Sequence, residues 1–317
     1  MNENNFKIVS FYEFKNIQTK YLTYKTILKE TCAKNNLRGT VILSKEGING
    51  TLSGFEISIN NFLSKLKNLN FDNTEIKFSY SKTLPFYKLK IKIKKEIVPF
   101  LESVKNPNKT GKFIDPKNWN NILNDSSIHV IDVRNEYETK IGKFQNSTDP
   151  KTNNFTEFIE YINTDLADKK NETIAMYCTG GIRCEKASAY MIQNGFKNVL
   201  QLKGGILKYL EETDSKSSLW EDECYVFDNR VSVKKDLSEG SYELCNGCKE
   251  TITKQDKKSD KYEEGVSCPG CYDKRSKDQK EKSRERQKQI NLFREKKRPY
   301  SYDKLNTHDY NKIIDKL

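Results

Sequence analysis

The sequence has almost no histidine and no long apolar run. Its two histidines, His129 and His308, lie far apart in a chain of 317 residues, which argues against a catalytic metal centre built on histidine. No segment is apolar over the length that a bilayer requires, and the N-terminal stretch MNENNFKIVSFYEFKN lacks the apolar core of a signal peptide. We therefore expect a cytoplasmic protein without membrane contact.

Eight cysteines stand out against this background. In a reducing compartment, cysteines more often bind metals or catalyse reactions than form disulfides. The chain also carries a formal net charge of +12, from 56 Lys and Arg against 44 Asp and Glu. A positive field favours polyanions such as nucleic acid, although a lysine-rich proteome would give the same balance. We recognise no flavin, haem or iron motif and no internal repeat.

Residues 1–105 are predicted to form an α+β domain with a ferredoxin-like fold. Two helical stretches, at about 19–35 and 57–69, alternate with strand-like segments and a glycine-rich turn, an order typical of that sandwich. The last strand carries a lysine at every second position, so one of its faces presents only ammonium groups. The four residues are Lys88, Lys90, Lys92 and Lys94. They either protect a sheet edge from aggregation or contact RNA phosphates.

Residues 115–218 are predicted to form an α/β domain. The segments IHVIDV, TIAMYC and NVLQL read as strands separated by helical stretches, a pattern that favours a mostly parallel sheet. The helix after TIAMYC is expected to begin at about Glu185. Residues 219–317 are predicted to form a third, smaller region, which holds the last five cysteines and a basic tail.

The segment CTGGIRCEKAS places Cys178 at the C-terminal end of a buried strand, where open α/β sheets bind ligands. A short arch of backbone separates this cysteine from the next helix and consists of Thr179, Gly180, Gly181, Ile182 and Arg183. Successive N–H groups and the positive end of a helix form an anion cradle. With a cation in the arch, we expect the thiol pKa to fall from about 8.5 and leave a thiolate at neutral pH. The alternative is a small buried residue that ends a core strand.

A cysteine and an arginine spaced C-x4-R between a strand and a helix resemble the active-site loop of rhodaneses. The upstream segment DVRNEYETKIGKF supports this resemblance, because four of its residues fall on positions of the family pattern. They are Asp132, Arg134, Glu138 and Gly142. The segment departs from the pattern at Lys143, where many rhodaneses have histidine. Related phosphatases use a wider C-x5-R loop, so this arch suits a terminal sulfur or a small oxyanion better than a phosphate.

Further motifs narrow the resemblance. CTGGIRCEKAS, GKFIDPKNWN, GGILKYL, CYVFDNRVSV and GTVILSKEGINGT together resemble the tRNA uridine hydroxylases, over about residues 6 to 290. That family uses oxygen to form 5-hydroxyuridine at the wobble position of tRNA, position 34. The resemblance implies an oxidoreductase of monooxygenase type. It also implies tRNA as the partner, through the anticodon stem-loop, and an electron donor that the sequence does not identify.

The same resemblance assigns roles to individual residues. Cys178 is the implied catalytic residue, residues 179–183 are its loop, and Cys184 is a second thiol. Asp132, Arg134, Glu138 and Lys186 are the implied supporting residues. The thiolate could add to C6 of uracil and activate C5 toward an oxygen species, or it could pass through a persulfide or sulfenic state that Cys184 resolves. Alternatively, Cys184 simply packs against the sheet.

Two C-x2-C pairs, separated by 19 residues, lie near the C-terminus. Their members are Cys245, Cys248, Cys268 and Cys271. This spacing is typical of structural zinc sites, in which four thiolates complete a tetrahedron and leave no position for substrate. The alternatives are two reduced pairs without metal or an oxidised disulfide.

A basic, helix-favouring segment, DQKEKSRERQKQINLFREKK, follows the second pair and is either a solvated helix or tail or a grip on tRNA phosphates. Phe86, Tyr87 and Tyr177 are aromatic residues that could stack on an exposed base. Two other functions remain open from the sequence. A sulfurtransferase would need the same loop, and a non-catalytic RNA-binding protein would need only the fold.

Overall fold

The structure is a computed structural model, and it describes residues 5–102, 104 and 109–295. The part of the basic segment beyond residue 295 lies outside the described residues. Across the described part of the chain, helices are too short or too polar to cross a bilayer.

The N-terminal region is a five-stranded sheet with two helices on one face. Its elements are β1 (Phe6–Phe14), α1 (Lys20–Lys34), β2 (Arg38–Ser44), β3 (Gly47–Gly54), α2 (Glu56–Asn68), β4 (Glu75–Ser81) and β5 (Leu89–Ile93). The strand order is β4-β1-β3-β2-β5, in which β1 is antiparallel to β3 and β4, and β5 is parallel to β2. The first four strands and both helices form the predicted ferredoxin-like fold, and β5 extends its sheet.

Alternation along the strands decides which face the helices cover. Val9 and Phe11 of β1 pack with Val41 of β2 and with Leu28 and Phe62 of the helices in one apolar cluster. The opposite face is mixed, because Ser10, Thr51 and Lys77 project from it beside Ile8 and Tyr12. The lysine strand follows this rule, since Ile91 joins the apolar cluster while all four lysines are exposed.

The central region is a parallel sheet covered on both faces. Its elements are β6 (Lys112–Ile114), α3 (Pro116–Asn124), β7 (Ile128–Asp132), α4 (Glu136–Thr139), β8 (Gly142–Phe144), α5 (Phe158–Thr164), β9 (Thr173–Tyr177), α6 (Ile182–Gln193), β10 (Asn198–Leu202) and α7 (Gly205–Glu212). The order β6-β10-β9-β7 is parallel throughout. Ile174 and Met176 pack with α5 and α6, whereas Ala175 and Tyr177 pack with α3 and α7. This is the predicted α/β architecture.

The C-terminal region has little regular structure before its last helix. It contains the short strands β11 (Trp220–Asp222), β12 (Cys224–Tyr225), β13 (Ser232–Val233), β14 (Glu243–Leu244) and β15 (Thr251–Ile252), followed by α8 (Lys277–Glu295). β11 pairs with β8 of the central region, and β12 pairs with β13. Arg286 of α8 donates to the carbonyl oxygens of Asn246 and Gly265, so the basic helix packs on the segment that carries the cysteine pairs.

Candidate active site

Cys178 lies directly after β9 and is 1% exposed. The loop is tighter than the sequence indicated, because α6 begins at Ile182 rather than at Glu185 and so includes Arg183 in its first turn. Gly181 precedes the helix with a φ of +97°, a conformation that residues with side chains rarely adopt. In this geometry the Gly181 N–H points back and donates to Cys178 Sγ at 3.1 Å.

A second glycine pair, in the motif GGILKYL, holds the loop from the other side. The N–H groups of Ile206 and Leu207 donate to the carbonyl oxygens of Cys178 and Thr179 at 3.0 and 3.1 Å. This approach requires glycine at position 205, since a Cβ there would lie 2.4 Å from the Cys178 carbonyl oxygen. The first turn of α7 therefore fixes the loop backbone in place.

The environment of the Cys178 sulfur favours the thiolate. Burial opposes the charged form, but a hydrogen bond from the Cys184 thiol, the charge of Arg183 and the backbone N–H groups of Cys184 and Gly181 outweigh it and lower the pKa of Cys178 to about 5. Burial and the adjacent Cys178 raise the pKa of Cys184 well above its usual value. The two thiols are therefore a matched donor and acceptor, in which Cys184 keeps its proton.

Arg183 does not stand free in the loop. Its guanidinium forms a two-pronged ion pair with Glu138, at 2.6 and 2.8 Å, and both residues are buried. Thr179 also donates to Glu138, at 3.3 Å. The arginine charge that lowers the pKa of Cys178 is thus partly balanced by a carboxylate, whose own pKa is kept low by Arg183 and Arg134 despite burial. The ion pair ties the loop to α4.

Asp132 and Arg134 form a second buried ion pair, and Arg134 donates to the Glu138 carbonyl at 3.4 Å. Their side chains form a fork with distances of 2.9 and 2.6 Å, and Arg134 also donates to the Gly142 carbonyl at 2.6 Å. The guanidinium lies 5.0 Å from the centre of the Trp220 ring. Neither residue is more than 1% exposed, so both lie in the interior.

Lys186 faces the N-terminal region. Its amine donates to Glu96 at 2.6 Å, to Glu46 at 3.0 Å and to the Val98 carbonyl at 3.1 Å. The amine is therefore directed to the junction of two regions, one turn beyond the cysteine loop. These contacts connect α6 to the segment after β5.

The face of the N-terminal sheet opposite its helices covers the loop. The Tyr12 hydroxyl donates to Glu185 at 3.0 Å and lies 3.0 Å from the position of a Cβ on Gly181. Lys77, on the neighbouring strand, is 4% exposed and places its amine 5.2 Å from the Tyr12 ring and 3.5 Å from Glu75. Burial lowers the pKa of Lys77, whereas Glu75 and Cys178 oppose this effect. A buried cation and the thiolate thus share one polar environment.

No sequence pattern indicated these covering residues. Tyr12 is 173 positions from Glu185, and neither Tyr12 nor Lys77 belongs to a recognisable motif. Among the aromatic candidates, Tyr177 was wrong, because its ring is fully buried and its hydroxyl contacts Ser147 at 2.7 Å. Phe227 was missed, although it is 58% exposed and its ring lies 5.9 Å from the Arg183 guanidinium.

The two cysteine pairs converge on one point. All four sulfurs lie within 4.8 Å of one another, and the pairs Cys245–Cys271, Cys248–Cys268 and Cys268–Cys271 are separated by 3.9, 3.8 and 3.8 Å. A tetrahedron with metal–sulfur bonds of about 2.3 Å has sulfur–sulfur edges of about 3.8 Å. The four cysteines can therefore hold one metal ion.

Comparisons with known proteins agree with this geometry. The family model of the UPF0176 acylphosphatase-like domain matches residues 6–97, and that of the rhodanese-like domain matches residues 115–212. The tRNA uridine(34) hydroxylase of Pelagibacter ubique (strain HTCC1062) is 48% identical over 291 residues, which cover 90% of this chain and 95% of that protein. The chain belongs to the tRNA uridine(34) hydroxylase family. The predicted family and the three-part fold class are thereby confirmed.

Solved structures resemble single regions of this family member. A rhodanese-like domain protein from Staphylococcus aureus is 26% identical and covers 31% of this chain and 90% of its own, with a TM-score of 0.26. The acylphosphatase from Bacillus subtilis is 18% identical and covers 27% of this chain and 98% of its own, with a TM-score of 0.22.

Proposed function

We propose that this protein hydroxylates the wobble uridine of tRNA, at position 34, to 5-hydroxyuridine, and that Cys178 is its catalytic residue. The observation that carries the assignment of the residue is a buried sulfur with a pKa lowered to about 5, in a chain of this family. A thiolate at neutral pH is the form that attacks an electrophilic carbon. The enzyme is then an oxidoreductase of monooxygenase type.

In the proposed reaction the Cys178 thiolate adds to C6 of uracil and converts the ring to an enolate that is nucleophilic at C5. The enolate carbon takes an oxygen atom from dioxygen that a two-electron donor has reduced to the peroxide level, and the second oxygen atom leaves as water. Loss of the C5 proton and expulsion of the thiolate then restore the ring. The net change is uridine, dioxygen, two electrons and two protons to 5-hydroxyuridine and water. The Cys184 thiol, which donates to Cys178, stabilises the thiolate before attack and after release.

The same pair of thiols allows an oxidation that competes with hydroxylation. Peroxide-level oxygen would oxidise Cys178 to the sulfenic acid, and Cys184 would condense with it to a disulfide and release water. This sequence reduces the peroxide to water and transfers no oxygen to uracil, and a two-electron reductant must then reopen the disulfide. Mass spectrometry of the enzyme trapped during turnover distinguishes the two, because hydroxylation gives a cysteine–uracil adduct and the competing oxidation gives a Cys178–Cys184 disulfide.

We also propose a division of labour between the regions. Residues 115–218 supply the thiolate, whereas residues 1–105 and 219–317 bind the anticodon stem-loop of tRNA in the cytoplasm. Zinc is the metal that best fits four thiolates at tetrahedral spacing, and it would stabilise the fold around β14 and β15 without contacting substrate.

The test is nucleoside analysis of tRNA from a strain that lacks the gene and is complemented with variants. Wild type and Cys32→Ala should restore 5-hydroxyuridine and its derivatives, since Cys32 is a buried thiol whose pKa is raised to about 12 by burial. Cys178→Ser should restore none. Normal levels of the modified nucleoside with Cys178→Ser would overturn the catalytic assignment. Loss of a thiolated nucleoside, with rapid thiocyanate release from thiosulfate and cyanide, would identify a sulfurtransferase instead.

A further inference from the structure

The lysine strand β5 lies at one edge of the sheet whose strands β1 and β4 carry Tyr12 and Lys77, and the register connects β5 to these strands. Lys90 pairs with Thr40, Thr40 with Thr51, Thr51 with Ser10, and Ser10 with Lys77. Cross-strand partners project their side chains to the same face of a sheet. These five residues therefore form one continuous polar row on the face opposite the helices, hereafter the Lys90–Lys77 row.

The neighbouring rows on this face are closed by other parts of the chain. On one side, Arg230 donates to Ser79 at 3.0 Å and brings the turn between β12 and β13 onto the sheet. On the other side, the Asn49 amide donates to the Ile97 carbonyl at 3.0 Å and holds the segment after β5 in place. The Lys90–Lys77 row lies between these two covered rows, and its three hydroxyl residues remain half-buried.

The charges at the two ends of the row have the same sign. Lys90 is exposed and has Lys88 and Lys92 beside it, and no carboxylate of the described residues pairs with these three amines. Lys77 is buried at the other end, in the electrostatic environment of Cys178. With strands about 4.8 Å apart, four steps place the ends about 19 Å from each other. The floor between them consists of hydroxyl groups, of which Ser10 and Thr51 lie 3.1 Å apart.

We propose that the Lys90–Lys77 row is the track along which the unpaired anticodon strand of the RNA enters the site. Ammonium groups at the outer edge bind backbone phosphates, hydroxyls along the floor hydrogen-bond to ribose and phosphate oxygens, and the inner end delivers the base to the thiolate. A strand of RNA fits this row better than a protein segment, because the row is polar throughout and its exposed end is cationic. The inference rests on the proposed function for the identity of the RNA.

The test compares two double variants that remove the same charge from opposite faces of one domain. Lys90→Gln/Lys92→Gln removes the ammonium group at the exposed end of the row and one beside it, and Lys29→Gln/Lys34→Gln removes two exposed ones from α1. Affinity for an anticodon stem-loop RNA is measured across salt concentrations. The slope of log affinity against log salt should become less steep by about 1.4 in the first variant, since each single-strand phosphate contact contributes about 0.7. If binding is equal at 1 M salt, this slope change corresponds to about 25-fold weaker binding at 0.1 M.

The α1 variant should bind RNA like wild type. Equal weakening of binding in both variants, or weakening in neither, would refute the proposal that RNA follows the row. An added cation tests the hydroxyl residues of the row directly. Thr40→Lys places a cation within the row and should steepen the slope of log affinity against log salt, whereas Thr23→Lys on α1 should not. If Thr40→Lys has no effect, RNA does not cross the row. Failure of the wild-type protein to bind the stem-loop would refute the proposed function itself, so the two failures are distinguishable.

Discussion

The two cysteine clusters of this protein use one residue type in opposite ways. In the loop, Cys178 receives hydrogen bonds from the Gly181 N–H and from the Cys184 thiol, and its pKa falls to about 5. In the C-terminal region, four sulfurs lie within 4.8 Å of one another, and three of the pairs are 3.8–3.9 Å apart, close to the edge length of a tetrahedral metal site. The first arrangement leaves a single sulfur with donors around it. The second brings the sulfurs together around one point.

The difference shows that the partners of a sulfur, rather than its burial, indicate what it can do. Cys32 and Cys224 are as buried as Cys178, yet burial raises the pKa of each to about 12 because no comparable set of donors compensates for the loss of water. Burial alone therefore yields an inert thiol. A reactive thiolate requires oriented N–H groups and a cation, and a metal site requires three further sulfurs.

The largest expected effect concerns the four-sulfur cluster. Cys268→Ser removes one ligand, and because a structural zinc site contributes about 10–16 kcal/mol of binding free energy, bound metal should fall from about one per chain to near zero. Metal analysis of freshly reduced protein measures this. Cys224→Ala, a buried thiol outside the cluster, should retain the metal. Full metal content in Cys268→Ser would contradict the assignment.

The second largest effect is expected for the ion pair between Arg183 and Glu138. Glu138→Gln leaves Arg183 buried without its carboxylate, and removal of one partner from a buried pair lowers the free energy of unfolding by about 3–5 kcal/mol. Urea denaturation measures the loss. Glu136→Gln is the matched control, because its pair with Lys140 is exposed and contributes only about 0.3–0.5 kcal/mol. Equal stability of the two variants would show that the Arg183–Glu138 ion pair does not support the loop.

The smallest expected effect separates the two loop thiols. Cys184→Ala removes a hydrogen bond to the charged form of Cys178, an interaction that contributes about 1.5–3 kcal/mol, so the pKa of Cys178 should rise by about 1–2 units. Cys184→Ser keeps a donor and should shift it less. The pH dependence of alkylation at Cys178 reports both values. An unchanged midpoint in Cys184→Ala would mean that Cys184 only packs against the sheet.

Local patterns predicted much of this molecule. The alternation in β1 to β5 indicated the ferredoxin-like region, and the C-x4-R spacing indicated the loop, because both depend on neighbours within a few positions. The start of α6 was predicted too late in the chain. The helix begins at Ile182, directly after its N-cap Gly181. The cysteine pairs were predicted by spacing because their turns are also local.

Contacts between regions could not be predicted in this way. Nothing in the spacing of Tyr12 or Lys77 indicates that the sheet face they share would cover a loop more than 100 positions away. Lys186 illustrates the same limit, because it follows the loop in sequence while its amine faces Glu46 and Glu96. The assignment of Asp132, Arg134, Glu138 and Lys186 as supporting residues stays a prediction of role, although their positions are now defined.

The central claim is that Cys178 is ionised at rest, and its rate of alkylation as a function of pH tests this most directly. A small neutral reagent is applied to wild-type protein between pH 4 and pH 10, and each cysteine peptide is quantified by mass spectrometry, with Cys32 and Cys224 as internal references. As pH rises through about 5, the thiolate forms, so reactivity at Cys178 should reach its plateau by neutral pH. A rate that rises only near pH 8.5, as for an unperturbed thiol, would contradict the account.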